Sequence, residues 1–449
     1  MVTAVTPGPA PTVAPPVHPV HPPPPVPTRA RPTPPAVTAS AVTPPANTGP
    51  AVPVVVCVID YPWSSCLQLA ALVRAKGCRT VLVTSAAVGT TVRLQIAAAF
   101  DRWLMVPSLD DAFGVDADEL VGPGAGPIVD LVASETAAAA AAEIARGLPS
   151  VTPAARRRAE RHAELADKWV AGTVLRRSGL AVPPRLLAAA ATVEEAFDVL
   201  GAPLVVKRAV GQGGRGVAVA GDRQAVERAL RRLDRRSRVD GPTFYEAHVA
   251  GRQLTMAAAF ADGRVVQQAV VTLVRDRASS LGPARAVATV DLPGADRTVA
   301  AIAAAVGGSG LLAADVIRDG DGVDWVLDVN LRTWGSIGAL LGAGIDFSEG
   351  YLQAVGVRRA PVRAATVRAG QYLSVSLSPR WTHPGGRPGT GPFGCAVQAW
   401  RRGRALGRRY VTAAALAAVL RRVAPVARLP ERLVTRALGG SRSRLALDE

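Results

Sequence analysis

Lysine is nearly missing from this chain of 449 residues. Lysine and arginine together number 52, yet only Lys76, Lys168 and Lys207 are lysines. A chain this biased toward arginine keeps lysine where a compact ammonium is hard to replace. Aromatics are scarce too, at 4% of residues against 49% hydrophobic, so alanine and valine must fill the core. The four cysteines (Cys57, Cys66, Cys78, Cys395) include no C-x-x-C and no pairing with histidine. Cys57 lies in an apolar run and reads as a core residue. No apolar run reaches the roughly 18 residues of a membrane span. Glu135 and Glu143 interrupt the alanine run, and Arg421 closes the run at 411–420. The N-terminus lacks the basic start, apolar stretch and cleavage site of a secretory leader. Together these features predict a reducing, cytoplasmic setting.

Proline and charge are unevenly spread. Residues 1–50 hold 17 of the 37 prolines and almost no charge. Such a segment buries too little apolar surface to fold, so an extended, disordered tail is expected. From Trp400 onward twelve arginines stand against Glu431, Asp448 and Glu449, leaving +9 of the formal net charge of +17. Residues 411–423 read as a short amphipathic helix. This basic tail suits weak contact with an anionic surface or docking on the body as a solvated helix. It has no interleaved aromatics for stacking bases, which argues against nucleic acid.

Order is expected from about residue 51. The continuous apolar run 54–59 reads as a buried parallel strand. A helix at 64–76 and a strand at 79–84 complete a βαβ start. Strands are expected at 103–107 and 127–132, and a helix capped by Ser134 at 134–146. One charged helical stretch should run over 156–177 and stop at Gly179-Leu180-Ala181-Val182-Pro183. A helix at 222–233, antiparallel strands at 243–247, 253–260 and 264–274, and a helix at 298–306 follow. A strand pair at 311–317 and 324–330 comes last.

Two segments carry chemistry. In the first, Pro203-Leu204-Val205-Val206-Lys207 precedes Gly211-Gln212-Gly213-Gly214-Arg215-Gly216, and Val217-Ala218-Val219-Ala220 follows. The G-x-G-x-x-G spacing is a weak signal alone. A dinucleotide fingerprint would need a helix right after the loop, and a kinase loop would precede its lysine. A strand, a lysine, a glycine loop and a second strand make a hairpin that can grip phosphate. A flexible hairpin with a surface lysine is the plainer alternative. In the second segment, Asp315 sits in an apolar strand, Asp319-Gly320-Asp321-Gly322 reads as a hairpin turn, and Asp328 and Asn330 share one face of the return strand. Closing the hairpin brings Asp315 beside them. Three oxygen ligands on adjacent strands suit Mg²⁺ (or Mn²⁺). The alternative is a structural salt bridge with a neighbouring arginine, since an acid in an apolar strand needs a partner.

The order of lysine, glycine hairpin, glutamate-bearing strand and D-x-N-x-R resembles the ATP-grasp superfamily over residues 52–372. Leu327-Asp328-Val329-Asn330-Leu331-Arg332-Thr333-Trp334-Gly335-Ser336 is similar to its E-I-N-x-R-x-x-G-S segment, with Asp328 in place of glutamate. The resemblance implies an α/β plus α+β architecture: an N-terminal parallel α/β pre-domain (51–150) and two α+β subdomains clamping ATP (151–372). A basic C-terminal extension would occupy 373–449. It implies that Lys168 and Lys207 contact ATP phosphates, and that the loop with Gly211, Gly213, Gly214 and Gly216 closes over them. Glu246, Ala247, His248 and Val249 would meet the adenine. Gln253 stands where a ribose-binding glutamate is usual. Asp315, Asp328 and Asn330 would hold the metal, Arg332 would steady an acyl phosphate, and Arg275 is a further, weaker candidate. The implied activity is ATP-dependent ligation of a small-molecule carboxylate to an amine, forming ADP. A carboligase activating bicarbonate or carbamate is the alternative within enzymes. A non-catalytic nucleotide-binding protein with a basic tail is the alternative outside them. The Q-V-E-H continuation of biotin carboxylases is absent after Arg332. A homodimer is compatible with all of these readings.

Overall fold

The computed structural model describes residues 51–373, apart from 62–63, 86–89, 110–111, 113–114, 123–124, 236–238, 274–285, 360–361 and 363–370. The proline-rich segment, Arg275, Cys395 and the basic tail therefore lie outside the described residues. Strands β1 (Val54–Ile59), β2 (Arg79–Thr84), β3 (Arg102–Met105) and β4 (Ile128–Ala133) form a parallel sheet in the order β3-β2-β1-β4. β1 is buried along its whole length, as a continuous apolar strand is when helices cover both faces. Helices α1 (Ser64–Ala75) and α2 (Thr90–Ala99) cover one face; α3 (Ala117–Val121) and α4 (Ala138–Gly147) cover the other. The connections reverse between β1 and β4. Their C-terminal ends therefore open a crevice of the kind where ligands of open parallel sheets bind.

Two local expectations change. Ser134 does not cap a helix: a 3₁₀ turn, Glu135–Ala137, comes first. The Ser134 hydroxyl instead donates to buried Asp60 across the crevice (3.0 Å), a stronger acceptor than a neutral one. The charged stretch beyond residue 150 is two helices, α5 (Pro153–Leu165) and α6 (Lys168–Arg177). Asp167 leaves the helical region and caps α6, accepting from the Trp169 and Val170 amides at 2.8 and 3.1 Å. That break sets Lys168 in the first turn of α6.

A second sheet holds the glycine hairpin. β5 (Arg185–Leu187), β6 (Leu204–Gly211), β7 (Val217–Ala220) and β8 (Val239–Ala247) run in the order β5-β8-β6-β7. α7 (Val193–Leu200), with a capping box of Thr192 and Glu195, and α8 (Arg223–Asp234) pack on it through Ala196, Val226 and Leu233. The third sheet is antiparallel, in the order β13-β12-β9-β10-β11-β14. Its strands are β9 (Arg252–Ala261), β10 (Arg264–Leu273), β11 (Ala286–Thr289), β12 (Gly310–Arg318), β13 (Asp324–Asn330) and β14 (Gln371–Leu373). The strands expected near 243–274 thus divide between sheets, because β8 pairs with β6 and β5. α9 (Ala295–Val306) covers one face of the third sheet. α10 (Ile337–Gly342) and α11 (Phe347–Ala354) share the other face with α1 in one apolar core. Buried Tyr351 donates to Asp130 on β4 (2.7 Å), which ties the third sheet to the first. Cys57, Cys66 and Cys78 are buried free thiols. No helix among the described residues is long and apolar enough to cross a membrane.

Candidate functional site

The second and third sheets enclose a cavity of about 680 Å³. It is lined by all the residues nominated above from Lys168 to Arg332, apart from undescribed Arg275. The glycine hairpin forms one wall. Gly213 (φ +61°) and Gly214 (φ +72°) take left-handed conformations that side chains resist. Arg208 N–H donates to the Gly216 carbonyl (2.8 Å), closing the hairpin behind them. No helix follows until Arg223, so the loop is not a dinucleotide fingerprint.

Lys207 is buried, not a surface lysine. Its ammonium contacts the Glu246 carboxylate and donates to the Leu327 carbonyl (3.2 Å). Arg185 approaches the other oxygen of Glu246, with Nε 2.8 Å from Oε2. Neither of those two atoms has a hydrogen-bond partner, so this contact is ionic without being a formed hydrogen bond. Lys168 donates to the Gly211 carbonyl (2.8 Å) and pairs with Asp328 (3.1 Å). Ala247, His248 and Val249 follow at the end of β8, with His248 exposed, and Gln253 enters at the start of β9.

The opposite wall carries the carboxylates. Asp315 on β12 stands directly across from Asp328 on β13, beside a register shift, and Asn330 is two residues further on. Asp315 accepts from the Thr255 hydroxyl (3.3 Å). Asn330 donates to the Ala313 carbonyl (3.4 Å) and accepts from Arg332 (3.2 Å). Asp328 faces a lysine, Lys168, and Asp315 a threonine. Asp319, by contrast, is a turn residue. The Trp325 indole (2.7 Å) and the amides of Val323 and Asp321 hold its carboxyl below the ordinary range. Among the described residues no group of three or more His, Cys, Asp or Glu could hold a metal ion. The set here is two carboxylates and one amide.

Four residues that matter were not nominated from sequence. Glu135, beyond β4, accepts from Arg332 Nε (2.7 Å). Burial pushes its carboxyl up, but the Arg332 guanidinium and Lys168 more than offset this and hold it below its ordinary value. Burial likewise pulls the Arg332 guanidinium down, and Glu135, Asp328 and Asp315 raise it instead. Gln212, in the glycine loop, donates to both oxygens of Asp60 at the end of β1 (3.0 and 3.2 Å). Arg185 is the fourth. For Glu135 a signal existed: an acid inside an apolar run needs a partner.

No family model matches the chain, and no curated protein matches it in sequence. Solved structures do match in fold. N5-carboxyaminoimidazole synthetase from Staphylococcus aureus, complexed with ADP, is 12% identical, covers 68% of this chain and 78% of its own, and has a TM-score of 0.52. The biotin carboxylase domain of Hydrogenobacter thermophilus 2-oxoglutarate carboxylase, in complex with MgADP, ADP and bicarbonate, is 15% identical (70% and 73% covered, TM-score 0.54). L-amino acid ligase from Bacillus licheniformis is 18% identical (69% and 75%, TM-score 0.50). With its parallel sheet, glycine hairpin and carboxylate-bearing antiparallel sheet, this chain has the ATP-grasp fold.

Proposed function

We propose that this protein is an ATP-dependent, ADP-forming ligase that activates a carboxylate as an acyl phosphate and joins it to an amine. The observation that carries this reading is the convergence on one cavity of a buried lysine pair, a glycine loop and two facing carboxylates. Solved neighbours complexed with ADP or MgADP support it. Lys168 and Lys207 would neutralise phosphate charge, and the N–H groups of the glycine loop would approach phosphate oxygens. Backbone atoms at Ala247, His248 and Val249 would read the adenine, and Gln253 would reach the ribose. Arg332 would face the acyl phosphate. Asp315, Asp328 and Asn330 offer only oxygen donors, which fits Mg²⁺ or Mn²⁺, with phosphate oxygens and water as the remaining ligands. When bound, the metal would neutralise phosphate charge. Lys168 would then exchange Asp328 for phosphate. Such catalysis is positioning and charge neutralisation, and needs no nucleophilic side chain.

A carboligase reading is favoured by two of the neighbours, an N5-carboxyaminoimidazole synthetase and a biotin carboxylase domain complexed with bicarbonate. ADP release that depends on bicarbonate, in place of a carboxylic acid, would select it. The primary test is calorimetry with a non-hydrolysable ATP analogue and Mg²⁺. Lys207→Ala and Asp328→Ala should each cost roughly 1.5–3 kcal/mol, about ten- to a hundred-fold in affinity. A folded wild type that shows no metal-dependent binding would overturn the proposal.

A further inference from the structure

Arg185 does not line the cavity, yet it touches three of the elements that do. It lies on β5, in register opposite Glu246 on β8. Its side chain is 4% exposed. Nη1 donates to the Lys168 carbonyl on α6 (2.8 Å), and Nη2 to the Leu327 carbonyl on β13 (3.5 Å). The guanidinium carbon sits 5.3 Å from the centre of the Phe244 ring. Helix α6 makes room for it at Gly172: a Cβ there would lie 1.7 Å from Nη1 and 2.5 Å from Cζ.

The charge count around it is uneven. Arg185 and Lys207 both converge on Glu246 and on the Leu327 carbonyl. Two buried cations thus share one carboxylate. A lone Lys207–Glu246 pair would be neutral, its ammonium held by its own counter-ion. With Arg185 present, one positive charge is left over beside the glycine loop. Arginine suits this place because its planar fork serves several acceptors at once and stays charged when buried.

We infer that Arg185 is a positioning residue for phosphate binding: it takes up the charge of Glu246 so that Lys207 is available to a phosphate group of the ligand. The nucleotide as that ligand rests on the ligase reading; the surplus charge does not.

The test uses the full-length protein and two probes, the non-hydrolysable ATP analogue with Mg²⁺ and inorganic tripolyphosphate. Binding is measured by calorimetry and folding by thermal unfolding. In Arg185→Met the carboxylate of Glu246 captures Lys207, and affinity should fall about tenfold or more. Adding Glu246→Gln removes the captor and restores the surplus charge, so the double variant should recover most of the loss. A purely structural role predicts no such rescue, because the double variant loses further contacts. Should Arg185→Met fail to fold, Arg185→Lys keeps the charge and loses the fork. It should then bind within a few-fold of wild type. Unchanged affinity in folded Arg185→Met, a double variant no tighter than the single one, or tenfold weaker binding by folded Arg185→Lys would each overturn the inference. Were the wild type to bind only tripolyphosphate, with the same loss and rescue, the inference would hold and the ligase reading would fall. Binding of neither probe by folded wild type would overturn both.

Discussion

The two walls of the cavity obtain their counter-charges from different places. On the hairpin wall, Lys207, Glu246 and Arg185 all belong to one four-stranded sheet. On the carboxylate wall, Arg332 is paired with Glu135, 197 positions away at the end of β4. The hairpin wall can therefore set its cations as its own sheet forms. The carboxylate wall sets its arginine only once the N-terminal sheet has docked. Buried ion pairs are poor sources of net stability, but breaking one is costly, because it leaves a charge without solvent or partner. The difference thus predicts where a single substitution damages folding and where it damages ligand binding alone.

The largest effect should come from Glu135→Ala. It leaves the Arg332 guanidinium largely buried with its main partner gone, at a cost of about 3–5 kcal/mol, measurable by denaturant unfolding. Affinity for the ATP analogue should stay within a few-fold, because the hairpin wall keeps its own partners. A loss of affinity as large as that in Lys207→Ala would show that the walls are not independent. The same contact has a pH signature. Arg332 holds the Glu135 carboxyl below its ordinary value. The stabilisation is therefore complete above that ordinary value and is lost as pH falls through the lowered one.

His162 on α5 gives the next effect and the same wall carries it. The ring lines a small cavity beside Arg332, and its Nε2 has no hydrogen-bond partner. Burial, with help from Arg332 and against Glu135 and Asp130, pushes its pKa down to about 4. Between about 6.5 and that value the unfolded chain binds the proton and the folded one does not, so stability falls as the solution is acidified. The full loss is about 3 kcal/mol, on the order of 1.4 kcal/mol per unit. His162→Leu should flatten stability across this window. An unchanged slope would show that another group titrates there.

What the sequence disclosed follows the same division. The buried strand at 54–59, the glycine hairpin and the facing of Asp315 and Asp328 could all be read, because each depends on neighbours or on one tight turn. Glu135 could not be placed from sequence. Within an alanine run it signals that the run is not a membrane span and that the acid needs a partner, but which partner is fixed by how the sheets pack. Arg185 was hidden just past the glycine–proline stop, since nothing local shows that β5 will pair with β8. The division at Asp167 was missed because one long charged stretch and two capped helices carry the same composition. The alanine bias likewise hid the 3₁₀ turn before α4, because alanine favours helix on either side of that boundary.

The smallest effect falls where the two walls meet the same anchor. The side chain of Gln212 in the glycine loop reaches the N-terminal sheet, donating to both oxygens of Asp60 and more loosely to Thr136 (3.4 Å). Gln212→Ala should cost about 1–2 kcal/mol in the closure of the loop and little in global stability, because loops open locally without unfolding the rest. Trypsin cleavage after Arg215, mapped by mass, should therefore quicken roughly five- to thirty-fold while the melting temperature barely moves. Gln212→Glu should go further by setting two carboxylates against each other. Pairing it with Asp60→Asn restores an amide–carboxylate bond in the reverse sense and should bring protection back. If the reversed pair is cleaved as fast as Gln212→Glu alone, the bond to Asp60 does not hold the loop, and the hairpin wall is as self-contained at its tip as it is in its charges.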